Sequence, residues 1–117
     1  MMSSKDCLFC RILAGEIPAD IIYESDTAIA FRDINPQAST HVLIIPRKHI
    51  ATINALDESD AQQVGELFLA AKQVASQEGV AERGYRVVMN CNAGAGQTVF
   101  HLHLHLLGGR DLSWPPG

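Results

Sequence analysis

The stretch His101-Leu102-His103-Leu104-His105-Leu106-Leu107 carries three of the five histidines of the chain, each separated from the next by a leucine. Strict alternation over this length predicts a β-strand, in which successive side chains point to opposite faces. The three imidazoles are then predicted to share one face, with successive histidine Cα atoms about 6.6 Å apart, and the leucines to share the other. A strand face of three rings that titrate near pH 7 is unusual and predicts a functional site.

Two chemistries fit a row of histidines. A His-x-His pair on a strand can direct two ring nitrogens at one metal ion. Alternatively, one imidazole can act as a nucleophile while its neighbours orient it or handle phosphate and protons. The spacing alone does not choose between a metal site and nucleophilic catalysis.

The composition narrows the class of protein. The 117 residues predict one domain over 1–117, and a hydrophobic content of 47% predicts a modest core that dimerisation would assist. A net charge of −4 and a pI of about 5.6 argue against a nucleic-acid-binding surface. A single small nucleotide is compatible with this charge, because backbone N–H groups can neutralise its phosphate.

The cellular location of the protein is predicted from targeting and membrane-spanning segments that we do not find in the sequence. Its apolar runs are shorter than the roughly 18 to 20 residues of a membrane-spanning helix. The stretch from Met1 to Asp6 has no apolar core behind a basic start, so no signal peptide is expected. Three cysteines, an odd number, suit a reducing compartment. We therefore expect a cytoplasmic protein without a membrane or nucleic-acid partner.

The apolar periodicity predicts two helices and five strands. The fold class is α+β with one antiparallel sheet, and the strand rich in β-branched residues is expected at its centre. The first helix is predicted to be capped by Ser4 or Asp6, and the long helix has a glycine, Gly65, where close packing is expected. The predicted elements are helix 7–14, strands 21–24, 28–33 and 41–45, helix 57–78, strand 85–90 and the histidine strand. The predicted core-facing residues of the long helix are Val64, Leu67, Phe68, Ala71, Val74 and Ala75.

A loop with two glycines precedes the histidine strand. Gly94 and Gly96 permit backbone conformations in which successive N–H groups bind an anion. The loop lacks the lysine of a phosphate-binding P-loop and the third glycine of a dinucleotide fingerprint, so alone it is typical of an ordinary turn. It nevertheless brings backbone donors and Thr98 to the start of the histidine face, where phosphate chemistry is possible.

Other residues are candidates for the site. The pair Cys7-x-x-Cys10 is half of a tetrahedral zinc site, and His49 and His101 are candidates for the other half. Two buried cysteines on a small helix are the simpler alternative. Asp33 follows a strand and either caps a turn or accepts the hydroxyls of a ribose. Trp114, near the C-terminus, either packs or anchors an interface.

Taken together, these motifs resemble the histidine triad (HIT) superfamily in its Hint branch of nucleotide-binding proteins. The resemblance runs from about Asp6 to Gly117, and its central motif is the His-φ-His-φ-His-φ-φ pattern at 101–107, with φ apolar. The supporting stretches are Phe31-Arg-Asp-Ile-Asn-Pro-Gln-Ala, Thr40-His-Val-Leu-Ile-Ile-Pro46, Gly96-Gln-Thr-Val and Gly108-Gly-Arg followed by Trp114-Pro-Pro-Gly117.

The resemblance implies a fold and an activity. The implied fold is a five-stranded antiparallel sheet with two helices, which pairs in a homodimer to give a ten-stranded sheet. The implied activity is hydrolysis of purine nucleoside 5′-phosphoramidates, such as AMP-NH2 or AMP-lysine conjugates, without an organic cofactor. A nucleotide of the AMP or GMP type is thus the implied substrate.

The resemblance also implies roles for individual residues. His103 is the implied nucleophile, His105 binds phosphate, His41 orients the histidines, and Thr98 stands where the branch usually has serine and assists the leaving group. We expect the phosphate charge to be handled by N–H groups and imidazolium, because the sequence has no cluster of lysines. The implied nucleotide-binding residues are Leu8, Phe9, Ile12, Phe31, Asp33, Ile34, Asn90, Gly96, Gln97, Thr98, His103, His105 and, reaching toward the partner subunit, Trp114.

The resemblance further suggests a structural zinc ion. Members that carry the cysteine pair often bind zinc, and the matching ligands are Cys7, Cys10, His49 and His101. His101 would then be a metal ligand, and the chemistry would stay with His103. Three alternatives remain: a nucleotide-responsive binding module with incidental hydrolysis, a metallohydrolase using the histidine face, and a dinucleoside polyphosphate hydrolase of the Fhit branch, against which the closing Gly-Gly-Arg and Trp-Pro-Pro-Gly stretches argue.

Overall fold

The computed structural model describes residues 6–117, so Ser4, suggested above as a helix cap, lies outside the described residues. Helices α1 and α2 flank five strands, and 3₁₀ turns at Ile53–Ala55, Glu58–Asp60 and Ala93–Ala95 lie in the connections. The bounds are α1 Leu8–Leu13, β1 Ile21–Glu24, β2 Ala28–Arg32, β3 Thr40–Pro46, α2 Ala61–Gln77, β4 Tyr85–Val88 and β5 Leu104–Gly108.

The five strands form one antiparallel sheet in the order β1-β2-β3-β5-β4. This confirms the α+β class, and β3 is central as expected, with every residue buried. Two hairpins, β1–β2 and β2–β3, bring the N-terminal half together. Among the described residues, no helix combines the length and apolar character that crossing a bilayer requires.

The sheet separates two apolar clusters. On one face Leu102, Leu104 and Leu106 pack with α2. On the other, Phe9 and Ile12 of α1 pack against alternate residues of β2 and β3. The alternation of leucine and histidine is thus matched by the fold, because the leucines enter the α2 core and the histidines lie on the α1 face.

The histidine strand is shorter than predicted. Hydrogen-bonded pairing with β3 ends at Ile44 and Leu104, and continuing this register would place Pro46 opposite Leu102. Proline has no N–H to donate to the ladder. Instead, the Leu102 N–H donates to the Ile50 carbonyl at 2.6 Å, and His101 Nε2 donates to the Pro46 carbonyl at 2.8 Å. His101 and His103 are therefore held by loop and side-chain contacts just before β5.

Two expectations about α2 were wrong. Its buried residues are Leu67, Ala70, Ala71, Val74 and Ala75, whereas Phe68 is 52% exposed. Ala70, four residues before Val74, replaces Phe68 in the apolar stripe. Gly65 marks no close contact, since a Cβ there would meet nothing within 4 Å. The N-cap residue of the first helix is Cys7, whose sulfur accepts from the Cys10 N–H.

Candidate functional site

A cleft of about 580 Å³ opens on the α1 face of the sheet. It lies between α1, the loop before β1, the end of β2 and the histidines of β5. Of the residues predicted for nucleotide binding, the cleft is lined by Leu8, Phe9, Ile12, Phe31, Asp33, Ile34, Thr98, His103 and His105. An apolar wall therefore faces a row of polar and titratable groups, an arrangement suited to a base at one end and a phosphate at the other.

One ring nitrogen of His103 is hydrogen-bonded within the protein. Its Nδ1 lies 2.7 Å from the His101 carbonyl oxygen, which can only accept, so Nδ1 carries the hydrogen. The lone pair of the neutral ring then lies on Nε2. Burial lowers the pKa of His103, and the opposing hydrogen bond to His101 and charge of Asp33 do not reverse this shift. His103 is therefore neutral near pH 7, the form in which an imidazole acts as a nucleophile.

His41 and His105 form a directed hydrogen-bond chain. The Gln37 N–H donates to His41 Nδ1 at 3.0 Å, so the hydrogen of neutral His41 lies on Nε2. That Nε2 lies 3.0 Å from His105 Nδ1, which must accept. The remaining hydrogen of His105 is consequently on its Nε2, and this N–H is free to donate to a phosphate oxygen.

The ring of His105 is uncharged in the protein. Burial, together with the neighbouring His103 and His41 rings, lowers the pKa of His105 to about 4 despite the opposing charge of Asp33. Of the two kinds of group expected to meet a phosphate charge, His105 offers a neutral N–H donor rather than an imidazolium in the free protein near pH 7.

Asp33 caps the turn after β2 and lines the cleft, so its turn-capping role is confirmed and its ribose-binding role stays a prediction. Its Oδ1 accepts from the Asn35 N–H at 2.8 Å and so caps the turn after β2. Its Oδ2 lies 3.4 Å from His41 Nε2. Because the carboxylate lines the cleft, its remaining lone pairs are accessible to a hydroxyl-bearing ligand.

The donor atoms of Asp33, His41 and His105 are near enough to suggest a metal site. The hydrogen-bond chain argues against one. His41 Nδ1 already accepts from Gln37, so its Nε2 carries a hydrogen and offers no lone pair to a metal. The cluster is better described as a hydrogen-bond network, which disfavours the metallohydrolase alternative at this face.

A second cluster lies at the start of α1. Cys7, Cys10, His49 and His101 have ligand atoms within 4.8 Å of one another. His101 Nε2 donates to the Pro46 carbonyl, so its Nδ1 lone pair faces the cluster, as expected of a metal-binding histidine held by an outer hydrogen bond. The sequence prediction that these four residues meet is confirmed, and they form a possible metal site.

The distances suit a tetrahedral ion. His101 Nδ1 lies 3.4 Å from Cys7 Sγ, 3.5 Å from Cys10 Sγ and 3.3 Å from His49 Nδ1, and the Cys10–His49 distance is 3.3 Å. Ligands at zinc bond lengths are separated by about 3.3 Å for two nitrogens and about 3.6 Å for nitrogen and sulfur. Burial and the adjacent Cys7 raise the pKa of Cys10 to about 11, so metal binding would release its proton.

The remaining predicted residues occupy other places. The Gln97 side chain is turned inward, where it donates to the carbonyls of Ala51 and Val99 and accepts from the Asn92 N–H. The Gln97 side chain therefore supports the loop, and its amide group is already engaged in hydrogen bonds within the protein. Neither Asn90 nor Gly96 is among the residues that line the cleft, and Trp114 is 80% exposed outside it.

The sequence did not reveal the rest of the cleft wall. The segment after α1 and the neighbours of the predicted residues contribute Ile17, Pro18, Ala19, Asp20, Arg32, Leu43 and Val99. No local pattern marked the segment 17–20, because its role comes from its position opposite β2. In this wall, Arg32 forms ion pairs with Glu78 and Asp20.

Comparison with known proteins places this site in a family. The model of the HIT domain matches residues 14–112. The chain belongs to the HIT domain family. Its histidine motif, cleft and sheet are therefore those of a HIT domain, as the sequence resemblance suggested.

Individual relatives cover nearly the whole HIT domain. The purine nucleoside phosphoramidase of Escherichia coli (strain K12) is 49% identical over 109 residues, 93% of this chain and 92% of that protein. The crystal structure of a HIT family hydrolase from Legionella pneumophila Philadelphia 1 has a TM-score of 0.93 and 56% identity, covering 95% of this chain and 99% of that one. A zinc-bound histidine triad family protein from Mycobacterium smegmatis has a TM-score of 0.81 and 29% identity, covering 93% and 78%.

Proposed function

We propose that this HIT protein hydrolyses the P–N bond of purine nucleoside 5′-phosphoramidates. The observation that carries the proposal is the orientation of His103, whose Nδ1–H is held by the His101 carbonyl so that Nε2 keeps its lone pair. The similarity to a purine nucleoside phosphoramidase supports the substrate class. The apolar residues of the cleft suit a base, and Asp33 suits a ribose.

The reaction we propose has two steps. His103 Nε2 attacks the α-phosphorus, a nucleotidyl-histidine bond forms, and the P–N bond breaks with its electron pair on the departing nitrogen. That nitrogen takes a proton with the help of the Thr98 hydroxyl. Water then attacks the same phosphorus, the bond to Nε2 breaks, and AMP and free His103 result, while one proton of the water replaces the proton that the leaving nitrogen took.

His105 and His41 handle the charge of the phosphoryl group in this mechanism. The His105 Nε2–H donates to a non-bridging oxygen, where negative charge increases in the transition state. His41 holds His105 in that orientation through the 3.0 Å hydrogen bond. Because both rings are fixed before substrate binds, little reorganisation is needed during the reaction.

The cysteine-histidine cluster is proposed to hold a structural zinc ion. The donor set of two sulfurs and two nitrogens and its tetrahedral spacing favour zinc. Cys7, Cys10, His49 and His101 would be the ligands, and the ion would tie α1 to the segment before β5. All four positions are filled by protein, so no catalytic role for the metal is proposed.

We also propose a homodimer with a ten-stranded sheet. β1 and β4 are the two edges of the sheet, and both are only partly buried. Gln77 donates to the Ile22 carbonyl and so occupies one acceptor of the β1 edge, which favours β4 for pairing. Arg86 of β4 binds the Ser113 carbonyl, which places the exposed Trp114 beside this edge. Pairing of two β4 strands would bring each Trp114 next to the partner.

Steady-state hydrolysis of a fluorogenic adenosine phosphoramidate tests the proposal. Wild type is compared with His103→Ala and with Cys91→Ser, a control at a cysteine outside the cleft lining. We expect turnover by the wild type and the control, with or without a chelator during the assay, and none by His103→Ala. Tight AMP binding without turnover would support a nucleotide-responsive binding module, and preferential cleavage of diadenosine polyphosphates would support the Fhit-type alternative.

A further inference from the structure

The loop between β2 and β3 determines which way the hydrogen-bond chain of His41 and His105 runs. The chain begins at one backbone N–H, that of Gln37, which donates to His41 Nδ1 at 3.0 Å. If this N–H moved away, neutral His41 could carry its hydrogen on Nδ1 instead. His41 Nε2 would then present a lone pair to His105 Nδ1, and His105 could satisfy it only by losing the hydrogen from its own Nε2.

Gln37 lies in an exposed loop and depends on a few contacts for its position. Its side-chain amide donates to the Asn35 carbonyl at 3.1 Å, and the Asn35 N–H in turn donates to Asp33 at 2.8 Å. The carbonyl of Gln37 accepts from Arg110 Nε at 3.0 Å. Arg110 therefore provides a side-chain hydrogen bond that joins this loop to the segment after β5.

The route of the chain after β5 brings Arg110 to the loop. Gly109 has φ +87°, and a Cβ at this position would clash with the Ser39 hydroxyl. This close approach lays residues 108–110 directly beside the β2–β3 loop. The second nitrogen of the guanidinium donates to the Asp111 carbonyl at 3.1 Å, which fixes the orientation of the planar group.

We propose that Arg110 is a positioning residue that keeps the Gln37 N–H on His41 and thereby sets the hydrogen-bonding direction of His105. The proposal rests on the proposed function insofar as His105 must donate to phosphate. Arg110 does not line the cleft, so it acts through Gln37 and His41 rather than on the substrate. Its loss should lower kcat more than it raises KM.

The test combines turnover with a direct observation of the rings. Arg110→Ala, Arg110→Lys and Arg83→Ala are compared with wild type. Arg83 is the matched control, because it carries the same charge nearby and pairs with Asp111 at 2.9 Å without contacting Gln37. Long-range ¹H–¹⁵N NMR of labelled histidine identifies which ring nitrogen carries the hydrogen, and turnover of an adenosine phosphoramidate gives kcat and KM.

We expect wild type and Arg83→Ala to show the hydrogen on Nε2 of His41 and His105. In Arg110→Ala this form should be mixed with the other tautomer, and kcat should fall about two- to tenfold, the loss expected when the neutral hydrogen bond from the Gln37 N–H to His41 is weakened. Arg110→Lys, which retains a donor, should recover part of both. Unchanged tautomers in Arg110→Ala, or an equal loss of kcat in Arg83→Ala, would overturn the proposal.

The two proposals can fail separately. If the wild type does not hydrolyse the phosphoramidate, the proposed function falls, but the NMR comparison still decides whether Arg110 sets the tautomers. If the wild type is active and the tautomers do not respond to Arg110→Ala, only the role of Arg110 falls.

Discussion

Replacing Phe9 by alanine tests how α1 is held against His103. Phe9 is 3% exposed, and its ring contacts Phe31, His103 and His101 edge-to-face at centroid distances of 5.4, 5.1 and 5.9 Å. Truncation of a buried phenylalanine costs about 3 to 5 kcal/mol, and this includes the loss of such ring contacts. Because Phe9 lines an open cleft, water can enter the space it leaves, so we expect the lower end, about 3 kcal/mol.

Leu8→Ala is the control on the same helix. Leu8 also lines the cleft but is 43% exposed, so its truncation should cost about 1 kcal/mol or less. Urea unfolding of the zinc-saturated protein measures the loss of stability in both variants. Comparable m-values show that the same amount of surface is exposed on unfolding. A loss below about 1 kcal/mol for Phe9→Ala, or equal losses for the two variants, would refute the packing argument.

Three further outcomes are expected. Cys10→Ser should lower the bound zinc measured by atomic absorption and lower Tm, while Cys91→Ser keeps both; equal zinc in the two variants would contradict the ligand assignment. The folded-state pKa of His105, about 4, lies below its unfolded value near 6.5, so the folded protein should lose stability as pH falls between these values, and His105→Asn should reduce that loss, measured by urea unfolding. Light scattering should give the mass of a dimer, and the mass of a monomer would contradict the proposed pairing of β4 strands.

The sequence predicted the faces of the sheet better than the ends of its strands. Leucine and histidine separate as their alternation requires, because side-chain direction is a local property of extended chain. The residue at which β5 begins is not determined by the local sequence. It depends on Pro46, which is 56 residues before Leu102 and has no N–H with which to continue the ladder.

The site likewise combines features that the local sequence predicts with features that depend on the folded chain. The four residues of the possible metal centre could be named from the sequence because a Cys-x-x-Cys pair is half of a tetrahedral zinc site, which two histidines can complete. The wall from Ile17 to Asp20 was missed because only the folded chain brings it opposite β2. The neutral state of His105 could not be predicted, since its burial and its neighbours, which lower its pKa, follow from packing. Phe68 was placed in the core because the period of a helix does not distinguish a core residue from an exposed apolar one.

The proposed mechanism requires a covalent bond between His103 and the nucleotide. Rapid-quench mass spectrometry of the wild type with an adenosine phosphoramidate tests it most directly. We predict a transient nucleotidyl adduct that maps to His103, appears at least as fast as steady-state turnover, and is absent from His103→Ala. Turnover by the wild type without any adduct, or an adduct on another residue, would contradict the account.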